Sequence, residues 1–285
     1  MARLTLSDFQ QQFASVIHPE DRLVVVYSGI WSFGHRFDVE PQVLPEALLE
    51  SIQEVVGPTR TLLLPAYTYD YTQSRRYSPT LSLPQTGVLP VAMLKHFTCE
   101  RTKSALSSFL AIGPDATNLA GIVGETIWGD DSLIAHLERA HARMVVLGLP
   151  WKDACGFLHR IEEACHVPYR YYKTFHGMWE EEPWVETMFV RPLTCMTNYR
   201  WNMVDELLRS RSLVFSNTGE IHIESANAAD IVAAGSDILG DDPYRLLVNA
   251  DEVRHWVKIA KSAEISELRR MEPRATIYMD KYADK

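Results

Sequence analysis

The sequence predicts an α/β fold of three layers (α/β/α), with a largely parallel central sheet and an elaborated C-terminal half. Short β-branched or leucine-rich runs at residues 22–28, 61–64 and 143–148 have the length and unbroken hydrophobicity of strands buried on both faces. Segments with helical periodicity alternate with these runs, at residues 6–17 and 45–56. Such alternation is typical of parallel strands joined by helices.

The other elements are predicted in chain order. Ser7 and Asp8 are N-cap candidates for the first helix, and Gly57-Pro58 ends the second. Residues 66–85 carry tyrosine, arginine and proline without periodicity, which indicates a long loop after a strand, where α/β sheets commonly bind ligands. We also predict helices at 87–95, 202–211, 226–239 and beyond 251, an exposed or edge strand at 178–191, and a hairpin at 213–223 around Asn217-Thr218-Gly219.

Composition narrows the class of protein. The 285 residues show no repeat or clear linker, so we expect a single domain over residues 1–285. The net charge of −9 disfavours nucleic acid as a partner. No apolar run approaches the roughly 20 residues that cross a bilayer, and residues 1–5 lack a signal-peptide pattern. We therefore expect a cytoplasmic protein that binds no membrane; a homo-oligomer is compatible with the sequence. Four cysteines without disulfide or Cys-x-x-Cys spacing are expected to be reduced: Cys99, Cys155, Cys165 and Cys195.

Chemistry-bearing residues concentrate after the 143–148 strand. His159, Glu162, Glu163 and His166 have helical spacing, and Pro168 follows. On a helix these offsets share one face, so the side chains are able to converge. A histidine beside a carboxylate is a general base with its own orienting group, and we interpret His159 and Glu162 in this way.

Other interpretations of this segment stay open at this level. The face could be a salt-bridged helix surface with Arg160 and Arg170 as partners. The two histidines and the carboxylates could hold a metal ion in a hydrolase, although the His-x-x-x-His signature is absent. Cys155, four residues before His159, could be a nucleophile activated by that base.

Two more segments suggest ligand contacts. Residues 101–108 combine Arg101 and Lys103 with four hydroxyls, which suits a phosphate group but also a solvated connection. Residues 179–184, with Glu186 beyond, place carboxylates beside two tryptophans. That segment suits a cationic partner, or it is a solvated acidic loop.

Together, ordered landmarks along the chain resemble the antibiotic N-acetyltransferase family, the aminoglycoside 3-N-acetyltransferases and their relatives. Leu158-His159-Arg160-Ile161-Glu162 is similar to the family's L-H-x-x-E element. The other landmarks are residues 26–34, 63–68, 101–113, 128–132 and 167–175, and the resemblance spans roughly residues 4–239.

This resemblance implies a function. It implies transfer of an acetyl group from acetyl-coenzyme A, without a metal, to an amine of a small molecule such as an amino sugar or an aminoglycoside-like compound. His159 carries over as the base and Glu162 as its orienter. The cofactor-binding positions that carry over are Arg101, Thr102 and Ser108, with Ser28 and Tyr67 as softer matches.

Three departures from the family pattern suggest an acceptor other than an aminoglycoside, or a relative that binds coenzyme A or a sugar without transfer. Ser104-Ala105 replaces the usual His-Pro. Tyr27 replaces a common histidine before the serine, and Cys155-Gly156 replaces a polar pair, often Asn-Thr. Because Cys155-Gly156 lies where an oxyanion would need a donor, backbone N–H groups are expected to supply it.

Overall fold

A seven-stranded mixed sheet forms the centre of the fold in the computed structural model. The structure describes residues 3–33, 35–154, 156–191, 197–217, 219–262 and 276–278. The strands are β1 (Leu23–Ser28), β2 (Thr61–Pro65), β3 (Arg76–Tyr77), β4 (Glu100–Arg101), β5 (Phe109–Ile112), β6 (Arg143–Leu147), β7 (Tyr171–Trp179), β8 (Glu182–Val190), β9 (Phe215–Ser216), β10 (Ile223–Asn227) and β11 (Thr276–Tyr278). The helices are α1 (Leu6–Ala14), α2 (Leu44–Val56), α3 (Tyr71–Ser74), α4 (Val88–His96), α5 (Ala116–Ala120), α6 (Leu133–Arg139), α7 (Gly156–Ala164), α8 (Trp201–Ser210), α9 (Ala228–Asp241) and α10 (Ala250–Ser262).

The order of strands in the central sheet is β4-β5-β2-β1-β6-β10-β9. The three predicted strands β2, β1 and β6 are its parallel centre, as expected. Antiparallel strands flank this centre on both sides, with β5 against β2 and β10 against β6. The predicted α/β architecture is therefore confirmed, and the parallel part of the sheet is the part that the hydrophobic runs indicated.

Two helical layers cover the sheet, which explains the unbroken apolar strands. Val24 and Val26 face a core built with α1, α2 and α4. Val25 and Tyr27 face the other core, built with α6, α7 and α9. All six residues of β1 are buried, because alternate side chains find a helical layer on either side.

Helix ends follow the local sequence. Thr5, rather than Ser7 or Asp8, is the N-cap of α1, and Asp8 completes a capping box as the third helical residue. The helix ends at Ala14, three residues before the predicted end. As predicted, α2 ends at Gly57, whose φ of +73° suits a glycine.

A second sheet is built on the β7–β8 hairpin, where the sequence prediction was incomplete. The expected edge strand at 178–191 is β8, and its partner β7 was not predicted. The turn at Glu180 and Glu181 contains none of the usual turn residues, although Glu180 has a φ of +53°. The sequence of this turn therefore did not indicate a hairpin. The other edge of β7 pairs with β11 near its start, at Tyr172–Thr174, and with β3 at its end, at Met178 and Trp179.

Several other short elements carry weak sequence signals. The predicted loop at 66–85 contains α3 and β3, which bury Tyr71 and Tyr77. Strands β4 and β5 and helices α5 and α6 were not predicted either. The hairpin expected at 213–223 exists as β9 and β10, and the helices expected at 87–95, 202–211, 226–239 and beyond 251 exist as α4, α8, α9 and α10. Gly34, Thr218 and the tail after 262, except for β11, lie outside the described residues.

A buried carboxylate joins β8 to the 104–107 loop. Glu186 is 8% exposed, and its Oε2 accepts hydrogen bonds from the backbone N–H groups of Ala105 (3.0 Å) and Leu106 (3.1 Å). A proline at 105, as in the family pattern, would lack the first donor. Glu186 of β8 therefore anchors the loop at the position where Ala105 replaces the proline of the family pattern.

In the described part of the chain, no helix has both the length and the hydrophobicity to span a bilayer. Cys99 and Cys165 are free thiols, whereas Cys155 and Cys195 lie outside the described residues.

Gly113→Ala is expected to destabilise the protein by about 3 kcal/mol or more. Gly113 has a φ of +136°, and an added Cβ would collide with the backbone of Arg60 and of Thr61, where β2 begins. The matched control is Gly240→Ala in α9, where a Cβ would meet nothing within 4 Å. That change should be neutral or stabilising, since alanine is the better helix former. Equal midpoints for the two variants in urea denaturation would contradict the account.

Glu186→Gln should flatten the dependence of stability on pH. Burial raises the pKa of Glu186 from 4.5 to about 7, despite hydrogen bonds that lower it. The folded protein thus holds this proton more tightly than the unfolded chain does, and the free energy of unfolding falls as pH rises from about 4.5 to 7. The fall from this group is on the order of 3 kcal/mol. Urea denaturation at pH 5 and at pH 7.5 measures the free energy of unfolding. The same change between the two pH values in the wild type and in Glu186→Gln would refute the assignment.

Candidate active site

Helix α7 carries the predicted base and begins beyond the carboxyl end of β6, next to the parallel centre of the sheet. Its apolar residues Phe157, Leu158 and Ile161 pack into the core. The helix ends at Ala164, and His166, with a φ of +48°, reverses the chain before Pro168. The side chains of His159 and Glu162 come together one helical turn apart, as the spacing predicted.

His159 is held at its Nδ1. This atom lies 3.1 Å from Oε2 of Glu162 and 3.0 Å from Nη2 of Arg170. The Nε of Arg170 lies 2.8 Å from the same carboxylate oxygen, as an ion pair rather than a directed hydrogen bond. Of the three side chains, His159 is the most exposed, at 23%, whereas Glu162 and Arg170 are at 0% and 4%. The imidazole is thus the one that a substrate could contact.

The second carboxylate oxygen of Glu162 also has hydrogen-bond donors. Oε1 accepts hydrogen bonds from the hydroxyls of Tyr169 and Tyr199, each at 3.0 Å. Tyr199 in turn accepts from Arg170 (2.9 Å) and Thr197 (3.0 Å). A buried carboxylate with a cation and several donors around it keeps its charge and a fixed orientation.

The charges of this network set the protonation states. Burial raises the pKa of Glu162, but the charge of Arg170 and the contact with His159 outweigh it, and the pKa is below its usual value. Burial, followed by the charge of Arg170, lowers the pKa of His159, and Glu162 offsets this only in part. The imidazole is therefore neutral at pH 7 and the carboxylate is ionised.

The two polar neighbours of His159 Nδ1 favour opposite tautomers. The Glu162 carboxylate only accepts hydrogen bonds, so it favours a proton on Nδ1. Arg170 only donates; one N–H of its Nη2 goes to Tyr199 and the other faces Nδ1 at 3.0 Å, where it favours a lone pair. A proton on Nδ1 leaves Nε2 with a lone pair, which is the state required of a general base.

Aromatic side chains connect His159 to the ends of β1 and β2. The Trp128 ring lies 5.5 Å from the His159 ring and 6.4 Å from the Tyr67 ring. The hydroxyls of Tyr67 and Tyr27 lie 3.2 Å apart. A Cβ at Gly156 would come within 2.7 Å of both hydroxyls, so glycine lets the first turn of α7 approach them closely. The backbone N–H groups of this first turn, which no helical carbonyl accepts, thus lie beside the two tyrosine hydroxyls, on the helix that carries His159.

The other predicted cofactor residues occupy a separate buried cluster. Arg101 is 9% exposed and donates through all three nitrogens to Ser108, Thr68 and carbonyl oxygens of the 66–82 loop. Ser108 is fully buried and donates to the carbonyl oxygen of Ala66. These contacts make Arg101 and Ser108 anchors of the loop, and a cofactor phosphate would have to displace one of them.

Thr102 and Ser28 are also buried. The Thr102 hydroxyl accepts from the N–H of Phe109 at 2.8 Å, and the residue lines a narrow cavity of about 40 Å³ with Ser104 and Ser107. Ser28 ends β1 beside Leu147 and is 8% exposed. Cofactor contacts at all five positions stay predictions.

The four residues of the possible metal site on α7 do not point to one place. Glu162 points into the Arg170 network, whereas Glu163 accepts from the Thr126 hydroxyl and His166 lies past the helix end. Among the described residues, no three His, Cys, Asp or Glu side chains converge as metal ligands. Cys155, the candidate nucleophile, lies outside the described residues.

The acidic segment at 179–184 is the tip of the hairpin. Its three glutamates are exposed, the Trp179 and Trp184 rings pack at 4.9 Å, and Glu186 is buried away from them. The four carboxylates therefore do not form one patch.

Sequence reasoning did not assign Tyr199 or Trp128 to the site. Trp128, Tyr169 and Arg170 nevertheless carried a signal, because they belong to the landmarks at 128–132 and 167–175. Tyr199 lies 37 residues from its partner Glu162, in a segment without a recognisable motif.

Comparison with known proteins gives the family. The family model described as aminoglycoside 3-N-acetyltransferase matches residues 32–240. Among solved structures, the apoenzyme of aminoglycoside acetyltransferase AAC(3)-IVa has a TM-score of 0.71 at 20% identity, covering 90% of this chain and 98% of that one. AAC-IIIb in its binary complex with CoASH has a TM-score of 0.70 at 16% identity, covering 84% and 97%. Sisomicin-bound AAC-VIa has 0.68 at 18%, covering 84% and 99%.

No curated protein matches the chain. The family model nevertheless covers well over half of the 285 residues, and it confirms the interpretation of the ordered landmarks as those of an acetyl-coenzyme A-dependent N-acetyltransferase. The chain belongs to the aminoglycoside 3-N-acetyltransferase family.

Proposed function

We propose that this protein transfers the acetyl group of acetyl-coenzyme A to an amine of an amino sugar or aminoglycoside-like acceptor, with His159 as general base. The contact of His159 Nδ1 with Glu162 supports this most directly, because it leaves Nε2 unprotonated on the more exposed side chain of the network. Sisomicin and apramycin, bound in solved structures of proteins with this fold, are examples of the acceptor class. We also propose that the protein is cytoplasmic and that residues 1–285 form a single domain.

The reaction proceeds in a complex of both substrates. The acceptor nitrogen attacks the thioester carbonyl, and His159 Nε2 takes the proton that this nitrogen releases. The new C–N bond forms and the C–S bond breaks, so that coenzyme A leaves as a thiolate and takes a proton from the imidazolium or from solvent.

Glu162 holds the ring and stabilises the imidazolium while it exists. The charge of Arg170 keeps Glu162 ionised throughout. Backbone N–H groups at the start of α7, together with whichever hydroxyl of the Tyr27–Tyr67 pair does not donate to the other, stabilise the oxyanion of the tetrahedral intermediate.

His159→Ala is expected to lower kcat about 10²- to 10⁴-fold, because it removes the proton acceptor. Glu162→Gln should be less severe, since the amide keeps a hydrogen bond but loses the charge. Thiol release from acetyl-coenzyme A, screened over sisomicin, apramycin and simple amino sugars, measures the rate. Calorimetry should show that the affinity for coenzyme A is unchanged.

The matched control is His96→Ala, a half-exposed histidine on α4. It should keep full activity. A His159→Ala enzyme with near-normal turnover would remove His159 from the role of base, and the absence of thiol release with every acceptor would contradict the proposed substrate class.

The rate should depend on pH through His159. The base works unprotonated, so kcat/KM should fall on the acid side, with a midpoint below the ordinary histidine pKa of 6.5. Glu162 raises the pKa of His159, so Glu162→Gln should move this acid limb to lower pH. An acid limb that stays in place in Glu162→Gln would show that another group controls it.

A further inference from the structure

A buried carboxylate on β10 lies in the same row of the central sheet as Tyr27. Glu224 pairs with Val146 of β6, and Val146 pairs in turn with Tyr27 of β1. Residues opposite each other on neighbouring strands point to the same face, so Glu224 faces the layer that contains α7. It is 7% exposed. The acetyl-transfer steps involve the Tyr27 end of this row and give Glu224 no part.

Hydrogen-bond donors surround the Glu224 carboxylate. Its Oε2 accepts from the indole Nε1 of Trp151 at 2.9 Å and from Nη2 of Arg209 at 2.8 Å. Its Oε1 accepts from the same Nη2 at 2.9 Å and from the Ser216 hydroxyl at 3.0 Å. A carboxylate with a cation and donors at both oxygens keeps a fixed orientation. It therefore offers the Trp151 N–H a rigid acceptor.

Trp151 is an anchor of the connection between β6 and α7. Its 3₁₀ turn (Trp151–Asp153) follows the end of β6, and residues 152–155 separate it from Gly156, the first residue of α7. The indole is 9% exposed and belongs to the core that α7 and α8 share. The backbone N–H of Ala154 donates to the carbonyl oxygen of Trp151 at 2.9 Å. Holding the indole in place therefore restricts where α7 begins.

The start of α7 has little freedom beside the site. A Cβ at Gly156 would lie 2.7 Å from the hydroxyls of both Tyr27 and Tyr67, so the helix backbone is close to the two phenols. The N–H groups of this turn are the donors that the proposed function assigns to the oxyanion. A misplacement of about 1 Å in a catalytic site lowers a rate by up to about 10²-fold. The restraint at Trp151 is therefore relevant to the rate of acetyl transfer.

Helix α8 connects this restraint to the base. Tyr199 lies just before the helix, and its hydroxyl donates to Glu162, the partner of His159. Arg209 lies in the last turn of the helix and donates to Glu224. The two ends of α8 thus contact the carboxylate beside the base and the carboxylate that holds the connection to α7.

We propose that Glu224 is a positioning residue for acetyl transfer. Through its hydrogen bond with Trp151 it holds the first turn of α7 against the Tyr27 and Tyr67 hydroxyls, so that the backbone N–H groups there meet the oxyanion. The effect on the rate rests on the proposed function, whereas the restraint on α7 does not depend on catalysis.

Trp151→Phe removes the hydrogen bond and keeps an aromatic ring in the core. We expect kcat to fall about tenfold or more and KM for both substrates to stay within about twofold, because the oxyanion contact is made in the transition state. The acid limb of kcat/KM should not move, since the contact of His159 with Glu162 is untouched. Thiol release with the fastest acceptor among sisomicin, apramycin and simple amino sugars gives the rate, divided by the concentration of coenzyme A sites counted by calorimetry. A loss of folded protein alone would leave this quotient unchanged.

Variants at Glu224 test the same hydrogen bond from the side of the acceptor. Glu224→Ala should lose as much of kcat as Trp151→Phe, and the double variant should be no slower than the slower single variant, because both changes remove one contact. Glu224→Gln keeps an oxygen that accepts from the indole, so it should be faster than Glu224→Ala. The matched control is Asp237→Asn, which removes an exposed ion pair with Arg211 at the end of α8 and should match the wild type.

Hydrogen exchange tests the restraint on α7 without catalysis. The backbone N–H groups of Arg160 and Ile161 donate to carbonyl oxygens in the first turn of the helix. They should exchange about tenfold faster in Trp151→Phe and Glu224→Ala than in the wild type. The N–H groups in the middle of α2, on the opposite face of the sheet, should change less. An equal change in both helices would indicate a general loss of stability and overturn the proposal.

Kinetics and exchange together separate this inference from the proposed function. A Trp151→Phe enzyme with kcat within about twofold of the wild type, or losses that multiply in the double variant, would overturn the inference. If exchange in α7 responds as expected but no acceptor gives thiol release, the proposed function is contradicted and the restraint on α7 stands. If exchange in α7 is unchanged while thiol release is normal, the proposed function stands and this inference fails.

Discussion

The ionised carboxylate of Glu162 is the group on which the geometry of the site depends. It is completely buried, so its charge requires compensation from several directions at once. Arg170 supplies the cation, Tyr169 and Tyr199 supply hydroxyl donors, and His159 supplies the remaining N–H. These partners come from α7, from the segment before β7 and from the segment before α8. One carboxylate therefore fixes three parts of the chain relative to each other, and the imidazole is positioned as a result.

Neighbouring glutamates show how strongly the environment decides the chemistry. Glu162 and Glu163 are adjacent on α7 and both are buried. Glu162 faces a guanidinium and has a lowered pKa, whereas Glu163 faces a threonine hydroxyl and other carboxylates and has a pKa raised to about 7. The first is suited to hold a histidine in one tautomer. The second holds its proton up to about pH 7.

The sequence predicted most reliably what depends on local spacing. The parallel strands β1, β2 and β6 and the helix pairing of His159 with Glu162 follow from hydrophobic runs and helical offsets. The β7–β8 hairpin was missed, because Glu180 adopts a positive φ without being glycine or asparagine.

Long-range pairings were missed for a different reason. Two contacts join segments about 30 or more residues apart, that of Tyr199 with Glu162 and that of Trp128 with His159. Local spacing in the sequence does not predict contacts of this kind. Arg101 has a structural role that its sequence context did not indicate. Its charge suggested a phosphate ligand, which stays a prediction, and in the fold its donors meet backbone carbonyl oxygens of the 66–82 loop.

The close approach of α7 to the two tyrosine hydroxyls gives two departures from the family pattern a common origin. Where relatives often have threonine, this chain has Gly156, and where they commonly have histidine it has the longer Tyr27. A Cβ at position 156 would lie 2.7 Å from the Tyr27 hydroxyl and equally close to the Tyr67 hydroxyl. The absence of a side chain on the helix therefore makes room for both phenols at the floor of the site.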